Sequence, residues 1–98
     1  MLYLRFYKGL SAVITFLENF LNYLSVEKGL AVNTCSSYEL DIKSFFSFLK
    51  TKSISNINSV TRHHIIGYLL KLKKEGKSTA TSARHMAAIK SFFHFLLA

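Results

Sequence analysis

The stretch TSARHMAAIKSFFHFL (Thr81–Leu96) nearly repeats TCSSYELDIKSFFSFL (Thr34–Leu49). Both carry I-K-S-F-F-x-F-L, with Ile42 and Ile89 at equivalent positions. At about 100° per residue, one side of the first copy collects Cys35, Tyr38, Ile42, Phe45, Phe46 and Leu49. The same side of the second collects Ser82, His85, Met86, Ile89, Phe92, Phe93 and Leu96. Each copy is therefore an amphipathic helix with an aromatic stripe, and the stripe is read as core.

Each copy also follows another helical segment and a glycine. Val13, Phe16, Leu17, Phe20, Leu21 and Leu24 recur at helical spacing, which predicts a first helix near residues 11–28, ended by Gly29. Asn33 or Thr34 is the expected N-cap of a second helix running to about Lys50. The Ser/Asn-rich stretch TKSISNINSV (residues 51–60) reads as a loop, anchored to the core by Ile54, Ile57 and Val60. Thr61 caps a third helix with Ile65, Ile66, Leu69, Leu70 and Leu72, stopping at Gly76. The fourth begins in KSTAT and runs to the chain end. The outcome is two helical hairpins joined by a loop. With no proline and only four glycines in 98 residues, an all-α domain is favoured over a turn-rich sandwich.

Composition narrows the function. Thirteen Lys/Arg against five Asp/Glu give a net charge of +8. From Thr61 onward the basic residues are Arg62, Lys71, Lys73, Lys74, Lys77, Arg84 and Lys90, against the single acid Glu75. Such a field favours polyanions, either nucleic acid or an anionic membrane surface. A single cysteine, Cys35, excludes an internal disulfide and points to a reducing, cytoplasmic setting. No Cys/His spacing suggests zinc, and no cofactor is indicated. MLYLRFYKGL is interrupted by Arg5 and Lys8. It reads as a basic, aromatic arm over residues 1–10, ahead of a domain over 11–98, rather than as a signal peptide. No segment approaches the ~20 apolar residues of a membrane span.

The helix faces opposite the stripes are unusual. They display Asn33, Ser37 and Ser44 on the second helix, and Ala80, Arg84, Ala87 and Ser91 on the fourth. An ordinary solvated face is rich in Glu and Lys. Small, acid-free faces let backbone approach a surface closely, and Ser, Thr and Asn near a helix start can donate to phosphate oxygens. An arginine among them can reach a base edge or a phosphate. Leu40 and Phe48 fit neither face: either they mark a subunit contact, or the helix is phased slightly differently from the stripe.

The ordered set Phe20/Leu21/Leu24, Glu27-Lys28-Gly29-Leu30, Asn33-Thr34, Tyr38/Asp41/Ile42 and Phe45/Phe48/Leu49 resembles the opening helices of Xer-type tyrosine recombinases and phage-type integrases. Ser78, Thr81 or Ser82, Arg84, Met86-Ala87-Ala88-Ile89, Phe92 and Phe95-Leu96 resemble the family's next segment. The resemblance implies a four-helix SAM-like core-binding bundle whose two hairpins cross nearly at right angles. It implies that the second and fourth helices lie against double-stranded DNA. Carried over by motif position, Thr34, Ser36 and Ser37 would contact DNA from the second helix, and Thr81, Ser82 and Arg84 from the fourth. Charge and proximity add Lys43, Lys77 and Lys90. Other recombinase protomers are implied as partners through the same domain.

Three positions depart from the pattern. Glu39-Leu40 stand where the family often has basic residues, and His85 replaces the usual aliphatic residue, so a packed or partly exposed histidine is expected there, not a ligand. The family's chemistry also needs a tyrosine nucleophile with arginines, a lysine and histidines around the phosphate. None of His63, His64, His85 and His94 has Arg three positions later, so the family's H-x-x-R element is missing. The expectation is a DNA-binding fragment without catalysis of its own. The competing readings are a helical protein-interaction domain using Leu40, Phe48 and the arm, and a membrane binder using the arm.

Overall fold

The computed structural model describes residues 14–97, so the arm expected over residues 1–10 lies outside the described part. Four helices follow in order: α1 (Ile14–Val26), α2 (Val32–Thr51), α3 (Arg62–Lys74) and α4 (Thr79–Leu97). A single 3-10 turn, Ile57–Ser59, interrupts the connection between α2 and α3. The described residues contain no strand, and the architecture is the all-α bundle of two hairpins expected from the repeat.

The glycines stop the helices where the sequence places them. Gly29 (φ +64°) and Gly76 (φ +82°) both adopt the left-handed conformation. At the second, Gly76 N–H donates to Lys73 O and Lys77 N–H to Leu72 O, a Schellman closure that satisfies the last carbonyls of α3. Nothing lies within 4 Å of a Cβ built on Gly76, so alanine there meets only the backbone penalty. Gly76→Ala should cost about 1–2 kcal/mol and lower the melting temperature by about 5–10 °C, as followed by circular dichroism.

The start of α2 differs from expectation. Ala31, not Asn33 or Thr34, is the N-cap, and it has no side-chain cap. The left-handed turn at Gly29 and the bond from Leu30 N–H to Leu24 O bring the chain round early. Asn33 and Thr34 consequently fall inside the first helical turn. Thr61 does cap α3: its backbone N–H donates to His64 Nδ1 at 2.9 Å, the histidine taking the place of the usual Glu or Gln of a capping box. Ser78 serves α4, accepting the Thr81 N–H at 3.1 Å.

The aromatic stripes meet at the centre. α2 and α4 form the most extensive helix pair; α1 packs on both, and α3 closes the other side. Phe92 of α4 touches Phe20 of α1 edge-on (5.4 Å) and Phe46 of α2 (5.8 Å). Phe45 lies 5.3 Å from Tyr68 of α3. Ile57 is buried, and Ile54 and Val60 are partly buried against the same core, so the loop anchors as expected. Phe48 is a correction: it is buried against the Tyr68 ring at 5.4 Å and offers no subunit contact. Leu40 of α2 is exposed; so are Ile66 and Leu70 of α3, whose inward arc is centred on Tyr68 and Leu72.

Candidate nucleic-acid interface

Thr34, Ser37, Asp41 and Ser44 follow one another along one line of α2, at spacings of three and four residues. Thr34 is exposed in the first turn, and Ser37 is half-buried one turn before Asp41. Asp41 is 2% exposed, an acid at the margin of a face that looked acid-free. A buried carboxylate needs partners, and α4 provides them. Arg84 Nε donates to Asp41 Oδ2 at 2.8 Å and Nη2 donates to Oδ1 at 2.9 Å. The Arg84 side chain remains 46% exposed and roofs the carboxylate. The hydrogen bond from Arg84 to Asp41 raises the already high pKa of the guanidinium.

Beneath this pair the polar groups continue inward. His85 Nε2 lies 3.2 Å from Asp41 Oδ1, and His85 Nδ1 lies 3.0 Å from the Tyr68 hydroxyl. That hydroxyl is 2.8 Å from Ser44 Oγ. Three helices are thereby tied together by Arg84, Asp41, His85, Tyr68 and Ser44. No buried side-chain nitrogen or oxygen among the described residues lacks a partner. His85 is the packed histidine expected at its position.

Burial lowers the His85 pKa from its ordinary 6.5; Asp41 opposes the shift, while Arg84 and Lys77 add to it. The ring is thus neutral in the fold at pH 7. A neutral ring can direct Nε2–H at the carboxylate, with Nδ1 left beside the Tyr68 hydroxyl, whose own pKa burial pushes up. The unfolded chain takes up a proton at higher pH than the folded one. The contribution of His85 to stability is therefore complete above pH 6.5 and is lost as pH falls below it. Urea melts across this range should show stability declining toward acid, and His85→Leu should remove part of that slope. An identical slope in the variant would place the titration elsewhere.

The remaining candidates divide by location. Thr81, half-buried, precedes Arg84 by three residues and stands on its side of α4, while Lys77, exposed in the turn before α4, is near enough to His85 to act on it electrostatically. Ser82 and Lys77 also line an open groove of about 360 Å³ with Ile66, Leu70 and Lys73 of α3. Ser36 is exposed on the outer face of α2. Lys43 shares that face but pairs with Glu39 at 3.0 Å, an exposed ion pair that phosphate can displace. Lys90 is not brought to Arg84. It lines a groove of about 600 Å³ beside Tyr23 of α1 and Glu27 and Lys28 of the turn that follows it. Sequence reading missed Asp41 and Tyr68; the available signal was that an acid one turn from both Ser37 and Ser44 must be either exposed or paired. Among the described residues, no group of three or more His, Cys, Asp or Glu could hold a metal, and no helix is long and apolar enough to cross a membrane.

Fold and surface together define a small helical module that presents a short-side-chain, cation-bearing seam between its second and fourth helices. The chain belongs to the family of phage integrase N-terminal SAM-like domains, whose model matches residues 17–98. It is 40% identical over 82 residues to tyrosine recombinase XerD of Listeria monocytogenes, a match covering 83% of this chain and 28% of that protein. It is 42% identical over 80 residues to tyrosine recombinase XerC of Herpetosiphon aurantiacus, covering 82% and 26% respectively. The chain thus spans little more than a quarter of the length of these relatives. No solved structure matches it significantly.

Proposed function

We propose that this domain grips one side of a DNA duplex at a recombination site, acting within a tyrosine recombinase whose strand exchange depends on residues beyond these 98. The observation that carries the reading is the seam where α2 and α4 meet: Ser37 lies one turn from Asp41, and Asp41 is held by Arg84. Both helices enter this region with small residues, and Lys77 and Lys43 supply positive charge around it. Thr34, Ser36, Ser37, Thr81 and Ser82 serve as short donors to phosphate, with the free N–H groups of two helix starts beside them. Lys90, on the α1 side of α4, is the weakest of the nine candidates. In the recombining assembly, further protomers contact one another through this domain, in the cytoplasm where the chromosome lies.

The main alternative, a protein-interaction domain, loses one of its supports because Phe48 is buried. It keeps Leu40, which is 69% exposed in the middle of the α2 face. Fluorescence anisotropy with duplex DNA at low salt separates the two readings. Binding with Kd in the ~10⁻⁴–10⁻⁶ M range of non-specific association supports the DNA reading. Stable self-association with no response to DNA supports the alternative.

A further inference from the structure

Arg84 differs from every other candidate in this surface, because a buried carboxylate already meets its charge. A guanidinium has five N–H donors in a planar fork. Asp41 takes the Nε–H and one Nη2–H, at 2.8 and 2.9 Å. The two on Nη1 and the second on Nη2 are left, at the end of the fork, on a side chain still 46% exposed. Phosphate is attracted by net positive charge, which Asp41 largely offsets here. What survives is direction: two parallel donors in a fixed plane, the pattern that matches O6 and N7 of guanine.

The plane is fixed unusually well for a surface arginine. Asp41 cannot swing, since it is 2% exposed and also contacts His85 Nε2 at 3.2 Å. His85 is held by Tyr68, and Tyr68 by Ser44. An arginine ordered before binding loses little rotamer entropy on meeting its target.

We infer that Arg84 is a specificity-determining residue that reads a guanine in the major groove, and that Asp41 is the positioning residue that aims it. The inference rests on the DNA-binding reading above. Arg84 thus contributes sequence preference and almost nothing to the salt dependence, whereas lysines such as Lys43 and Lys77 do the reverse.

The test uses the 98-residue chain, a pool of duplexes with a randomised core, and anisotropy titrations over a range of salt. Wild type should enrich one G·C position about tenfold. Arg84→Ala should lose that enrichment while the slope of log affinity against log salt stays unchanged. Asp41→Asn should lose it too, but with a slope steeper by about 0.9, the signature of one extra phosphate gripped by a freed guanidinium. Arg84→Lys keeps a positive charge without the fork and should also lose the preference; it reports independently if Asp41→Asn does not fold. An Arg84→Ala protein that weakens equally on all sequences, with a slope flatter by about 0.9, would make Arg84 a phosphate clamp and overturn the inference. Retained preference in Arg84→Ala, or a wild type that binds duplex with no base preference, overturns it as well. A wild type that binds no duplex even at the lowest salt removes the DNA reading itself, and the inference with it.

Discussion

Phe92→Ala is expected to leave little folded protein at 37 °C. Phe92 is completely buried and is the ring on which three helices converge: Phe20 from α1 at 5.4 Å, Phe46 from α2 at 5.8 Å, and its own neighbour Phe93 at 5.8 Å. Deleting such a ring removes its transfer energy and leaves a cavity, together about 3–5 kcal/mol. A domain of this length has a total stability of only about 5–15 kcal/mol. The melting temperature should therefore fall by about 12 °C or more. Phe93→Ala, one position along in the same repeat but only partly buried, should cost clearly less. Equal losses in a thermal denaturation experiment would mean that the two rings share the core, and the assigned phase of α4 would then be wrong.

Raising salt is expected to have the largest effect on DNA binding. If about three or four cationic contacts reach phosphates, log affinity should fall with log salt at a slope near −3, and a fourfold rise in salt should weaken binding about 40- to 150-fold. On the proposed reading these contacts would come from Lys43, from Lys77 and from Lys73 of α3 beside Lys77, since Arg84 is held by Asp41. Lys77→Ala should flatten the slope by about 0.9 without altering base preference. A flat salt profile would argue against a duplex-gripping surface, because backbone contacts carry most of the affinity in such modules.

Much of the molecule was legible in one dimension. The duplicated I-K-S-F-F-x-F-L located two helices and their buried sides, and Gly29 and Gly76 marked the turns before them. The start of α2 was misplaced because two good capping residues, Asn33 and Thr34, lie just past a glycine turn. That turn closes through Leu30 and Leu24, so the helix begins before either can cap it. Phe48 was misjudged because the phase of α2 was drawn from the stripe alone. At the C-terminal end of α2, α3 widens the buried arc, and the Tyr68 ring covers Phe48 from that side.

By itself the sequence determined the four helices of the described residues, their pairing into hairpins and the aromatic stripe of each repeat. These follow from side-chain direction along a helix, which repeats every few residues and needs no knowledge of neighbours. Only the tertiary structure decided that Asp41 and Arg84, separated by 43 positions, would meet, and that His85, Tyr68 and Ser44 would lie under them. It also decided that Lys90 would face α1 instead of joining Arg84. Helical periodicity says which side of a helix turns inward, whereas the partner a side chain finds there depends on where the helices cross. That crossing is set by how the rings of α1, α2, α3 and α4 interlock, a property of the packed core as a whole.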